Sequence, residues 1–256
     1  MNMREKPINT IYGVIETLEY IIQYSEKNND PSGYFAALYQ RVTIKVKEEI
    51  ENNYFDDGPR MEQLDVLFAN RYIDAWVAHK AGTPISASWS KAFELATDYW
   101  PIVLQHLLLG MNAHINFDLG ISAAEVSRGK KLDELHPDFN RINEILSSLV
   151  HEVQDNLSVV WPALKYILKW TGKIDDYLVD FSMKLARDGA WKFATEVSGT
   201  SDEELEACLS RRDQRVARKV SVIIQPGMIA AAVLTLVRLT ERGTVPEKIR
   251  KLKRAR

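Results

Sequence analysis

Apolar side chains recur at intervals of three and four along nearly the whole chain, and no stretch alternates polar and apolar residues over a strand length between turn signals. Spacings of three and four gather side chains on one face of an α-helix, whereas a strand needs a period of two. The pattern dictates an all-α fold. With 256 residues, 46% of them hydrophobic, the chain can bury a large core within one domain. We expect a single-domain bundle of about nine or ten helices over residues 1–245, wrapped around one buried central helix, followed by a solvated basic tail over residues 246–256.

Turn residues divide the pattern. A first helix is predicted from about Thr10 to Tyr24, with Ile11, Val14, Ile15, Leu18, Ile21 and Ile22 as its buried stripe and the polar run 28–33 as its stop. A second carries Phe35, Leu38, Val42, Val46 and Ile50. Pro59 suits the first turn of a third, whose stripe includes Leu64, Phe68, Tyr72 and Trp76 and which Gly82 ends. After a short helix around Trp89, the segment from Pro101 to Ala124 is apolar on nearly every face and reads as the central helix. It is not a membrane span, because Gln105, His106, Asn112, His114, Asn116 and Asp118 would each be costly in lipid. Further helices are expected over 137–157, 161–170, 174–197, 202–224 and 227–240, with the stretch 220–237 buried and Ser201 and Glu204 at capping-box spacing. All six tryptophans read as core first and pocket lining second.

Charge excludes several function classes. Lys and Arg total 33 against 35 Asp and Glu, so no global field draws the chain to nucleic acid or an anionic membrane. The basic stripe at Arg211, Arg212, Arg215, Arg218 and Lys219 has no interleaved aromatic residues, which argues against a single-strand nucleic-acid surface. A lone cysteine, Cys208, and a first segment without a leader-length apolar run favour a reducing, cytoplasmic compartment. No glycine-rich phosphate loop or serine nucleophile elbow occurs.

The polar residues of the central helix are the candidate chemistry. His114 and Asp118, four apart, share one helical face; His151 and Asp155 repeat the spacing, and His136 sits with Asp138 at the entrance of that later helix. Imidazole and carboxylate from two helices can hold a divalent metal such as zinc, with His114, Asp118, His136, His151 and Asp155 as ligands. Without a metal, His114 and Asp118 can act as an acid–base pair, with Asn112 beside them, on a small-molecule ligand. The other reading is a non-catalytic binding or scaffold protein in which the same residues form a buried hydrogen-bond network. A homodimer is compatible with either.

The segments Phe68–Tyr72, Gly110–Leu119 and Asp138–Asn143 resemble those of an uncharacterised bacterial domain-of-unknown-function family, over about Tyr34 to Val197. The resemblance implies an all-helical protein without an established reaction and marks Arg71, Asn112, His114, Asp118, Asp138 and Asn143 as the matching polar positions, with Arg71 expected to steady an anionic group beside the His114–Asp118 pair. A looser similarity to the helical zinc-dependent phospholipase C and single-strand nuclease group implies zinc ligands at His114, Asp118, His136, His151 and Asp155, with Asp65 and His79 as the upstream pair. The chain departs from that group in lacking its N-terminal tryptophan and in the longer spacing from Asp118 to His136.

Overall fold

Helix α1 (Ile11–Asn28) begins where the Thr10 hydroxyl accepts the amide of Gly13 at 3.1 Å, and it ends where Asn29 turns into the left-handed region at φ 52°. The computed structural model describes residues 8–142, 145, 183–225 and 227–254. The helix expected over 161–170 and most of the one over 137–157 lie outside these, as do Asn143, His151 and Asp155. Every regular element among the described residues is helical, as the periodicity predicts. None of the described helices is long and apolar enough to cross a membrane.

Helices α2 (Gly33–Glu51) and α3 (Gly58–Ala81) fold back on each other across a short turn: Lys80 pairs with Asp30 at one end, and Phe68 meets Tyr39 in the middle. Asp57 caps α3, with Pro59 in its first turn. The short α4 (Ala87–Glu94) has its start held from a distance, since Asp213 accepts the amides of Ala87 and Ser88 at 2.6 and 2.9 Å.

The central helix is a rod of three parts: α5 (Val103–Ala113), a π-helical turn (His114–Asp118) and α6 (Leu119–Val126). Nearly every side chain from Ile102 to Ala124 is buried, so the all-round apolar reading holds. At Gly110 a Cβ would lie 2.5 Å from the Phe35 ring, so the missing side chain is what lets α2 approach the rod. Around it lie α7 (Met183–Gly199), α8 (Asp202–Arg218), α9 (Val220–Ile224), α10 (Met228–Thr240) and α11 (Val245–Lys253).

Several expectations are corrected. The basic C-terminal segment is not a solvated tail but a docked helix, α11, in which Thr244 and Glu247 form a capping box and Ile249 and Leu252 are buried against α1 and α2. Apolar residues three apart carry enough area to dock even a strongly basic helix. The capping box at Ser201 does not form: the amide of Glu204 goes to the Ser201 carbonyl. Trp100 is 60% exposed, and α9 and α10 turn Val222, Met228, Leu236 and Leu239 outward, so the stretch 220–237 is not wholly core.

Candidate functional site

The rod presents polar side chains on two opposite faces, because residues two apart on a helix point nearly half a turn from each other. One face carries Asn112 and Asn116. The Asn112 amide donates to the Val216 carbonyl at 3.0 Å and its oxygen accepts from Asn116 at 3.2 Å, while Arg212 and Lys219 donate to the Asn116 carbonyl and side-chain oxygens. This face is a seam with the α8–α9 region. Asn112, expected beside the histidine, therefore lies across the helix from it.

The other face carries His114 and Asp118, which the π turn delivers to the meeting point of α2, α3 and α4. A π turn inserts an extra residue into a helix and re-aims the side chains that follow. Asp118 is 1% exposed and takes three N–H donors. Arg71 Nε donates to Oδ1 at 3.0 Å; Trp89 Nε1 and His114 Nδ1 donate to Oδ2 at 2.8 and 3.1 Å. Because a carboxylate only accepts, this geometry assigns the imidazole proton to Nδ1 and leaves Nε2 as a bare acceptor.

Aromatic rings surround that imidazole. Phe68 stacks on its face with centroids 3.5 Å apart and planes within 6°. Tyr39 meets its edge at 4.5 Å, and Phe35, Trp89 and Tyr72 stand at 5.7, 5.9 and 6.1 Å. Burial lowers the His114 pKa below its ordinary value; the hydrogen bond and charge of Asp118 oppose this, and the Arg71 charge adds to it. The ring is thus neutral at neutral pH. Its Nε2 is buried and has no hydrogen-bond partner among the described residues. Arg71 is half-buried, its guanidinium lying over the Phe117 ring at 5.6 Å, so it links this interior to the surface.

The expected metal ligands are not brought together among the described residues. His114 and Asp118 bond each other, and the Asp118 carboxylate already accepts three N–H donors, one of them from a guanidinium. His136 is exposed, bonded to Asn140 and set against Trp191 at 4.4 Å. No group of three or more His, Cys, Asp or Glu side chains able to hold a metal occurs among the described residues. Asp138 holds the α2–α3 turn: its oxygens accept the amides of Asp56 and Asp57 at 2.9 and 2.8 Å and Arg141 at 2.6 Å.

Sequence reasoning missed Trp89 as a donor to Asp118 and Tyr39 as part of the enclosure. The available signal was the spacing of Phe35, Tyr39 and Thr43, which puts aromatic and hydroxyl groups on one face of α2. No curated protein and no solved structure matches the chain, and the likeness to the phospholipase C and nuclease group finds no support. The match that does appear runs through every element just described as far as α9, and by it the chain belongs to a family of unknown function, DUF5995, whose model covers residues 11–226.

Proposed function

We propose that the chain is a small-molecule enzyme in which His114 and Asp118 work as an imidazole–carboxylate acid–base couple. One observation carries the reading: the imidazole is fixed through Nδ1 while its other nitrogen, buried and unpaired among the described residues, faces an aromatic enclosure. In the reaction Nε2 accepts a proton from the substrate, and Asp118 stabilises the imidazolium that forms through the Nδ1 bond it already makes. Burial keeps the ring neutral and ready to accept. Trp89 and Arg71 fix the carboxylate, and the half-buried Arg71 guanidinium supplies the positive charge that would meet an anionic group on the substrate. A purely structural network explains the saturation of Asp118 but gives no reason for the bare Nε2, since a buried acceptor without a donor costs stability.

Diethyl pyrocarbonate, a small neutral electrophile that acylates unprotonated imidazole nitrogen, tests this directly. We expect the peptide containing His114 to be acylated in the folded protein, more slowly than exposed His136, and more slowly still in Asp118→Asn. If His114 stays unmodified when His136 is fully acylated, no solute reaches it, and the non-catalytic network is the correct description.

A further inference from the structure

The helices flanking His114 carry polar tips on faces that are otherwise core. On α2, Phe35, Tyr39 and Thr43 follow one another at four-residue spacing; on α3, Asp65, Phe68 and Tyr72 follow at three and four, so each trio lies on one face. The two faces meet at His114, where Phe68 stacks on the ring and Tyr39 touches its edge. Four buried atoms on these two faces and on the imidazole they meet have no hydrogen-bond partner among the described residues: the hydroxyls of Tyr39 and Thr43, Oδ2 of Asp65 and Nε2 of His114. Native interiors leave such atoms unpaired only rarely, and a group of them on adjoining helix faces marks a place where something else supplies the bonds. The Tyr39 phenol ties the group together. Burial pushes its pKa up, the charges of Asp65 and of Asp118 push it further, and the Thr43 hydroxyl, close to it but outside hydrogen-bond geometry, pulls it back.

We propose that Tyr39, Thr43, Asp65 and His114 form an internal binding site for hydroxyl groups, in which an O–H of the occupant donates to Nε2 of His114 and its oxygens accept from the Asp65 carboxyl and the Tyr39 and Thr43 hydroxyls. Asp65 can donate because burial, and then the charge of Glu62, raise its carboxyl to about 7. This is the complement of what His114 offers: a neutral acid and a neutral base face the same occupant, the arrangement that divides proton donor from proton acceptor between two groups. Resident water and a small hydroxylic solute present the same chemistry, and the test separates them. The proposal rests on the acid–base reading in one respect, that Nε2 is the unprotonated nitrogen.

Nuclear magnetic resonance of the full chain with isotope-labelled histidine side chains reads that nitrogen. We expect His114 in the Nδ1–H tautomer, with an Nε2 resonance shifted from the bare imine value by an accepted hydrogen bond. Thr43→Val and Asp65→Asn, neither of which alters the imidazole, should move that resonance toward the bare value, and Thr43→Ser should restore it. A dose-dependent shift on adding ethylene glycol assigns the occupant as a hydroxylic solute; a hydrogen-bonded signal that ignores the glycol assigns it as water, and both uphold the site. An Nε2 signal at the bare imine value that neither variant changes overturns the site and leaves the His114–Asp118 couple standing. A proton found on Nε2 removes both, since the occupant then has no acceptor.

Discussion

Asp118 and Asp138 are both buried, 1% and 3% exposed, and both accept three donors, yet they do different things. Asp138 receives two backbone amides and a surface arginine, and its bonds end there: the α2–α3 turn is fastened to the segment that follows Leu135. Asp118 receives only side chains, drawn from α3, α4 and the rod itself. One of them, His114, carries a second nitrogen into an enclosure of rings, where it stops without a partner among the described residues. A buried carboxylate is a clamp when its donors close the chain of bonds; it is a candidate for a site when a donor passes the polarity on.

The largest expected effect follows from that difference. Asp118→Ala strands the Trp89 and His114 N–H groups in the core and removes the partner of Arg71, and losing one member of a buried ionic network costs about 3–5 kcal/mol. Asp138→Ala frees the amides of Asp56 and Asp57 and the guanidinium of Arg141, all close enough to the surface to regain water, so the loss should be about 1–2 kcal/mol. Urea denaturation of the two variants measures both. Equal losses would erase the contrast between clamp and site.

Asp65 provides the next step down, because it is a buried carboxylate whose surroundings raise its pKa to about 7 from an ordinary 3.8. Between those values the folded chain holds a proton that the unfolded chain has released, so this group makes stability fall as pH rises from about 4 to 7 and leaves a constant penalty above that. Asp65→Asn removes the penalty. The variant should melt with the parent near pH 4 and above it at pH 8, by an amount on the order of a few kcal/mol. His114 contributes the opposite slope: its lowered folded pKa means stability is lost as pH falls below about 6.5. That slope is common to both proteins, so their difference isolates Asp65. A difference that stays flat from pH 4 to 8 would make Asp65 an ordinary carboxylate.

What could be read in advance was whatever local periodicity controls. The stripe of α1, the Thr10 cap, the Pro59 start and the fully buried rod all follow from side-chain spacing and backbone preference, and so does the shared face of His114 and Asp118. The family resemblance marks Arg71 for the site, but neither it nor Trp89 is legible as a donor to Asp118, because they lie 47 and 29 residues away and meet Asp118 only through helix packing. No residue type announces a π turn, and the polar tip of Tyr39 is hidden in a stripe that reads as core. Trp100 and the outward residues of α10 went the other way. Apolar composition indicated burial there, but it does not say which side of a helix meets a neighbour, nor that Ile249 and Leu252 would dock the basic end of the chain.

The smallest effect is also the most selective, since it compares two tyrosines on adjoining faces. Both hydroxyls are buried and unpaired among the described residues, but the Tyr72 phenol feels the charge of Asp30, at the other end of the α2–α3 pair, whereas Tyr39 feels Asp65 and Asp118. Removing a hydroxyl that is truly unbonded relieves a desolvation cost, so Tyr72→Phe should be neutral or slightly stabilising. Removing one that bonds an occupant forfeits that bond, so Tyr39→Phe should lose about 1 kcal/mol, and the loss should vanish when Thr43→Val and Asp65→Asn are already present. Melting curves of the single variants and of the combined one read this coupling. If Tyr39→Phe and Tyr72→Phe behave alike in every background, the end of α2 and α3 nearest His114 is no different from the rest of the core.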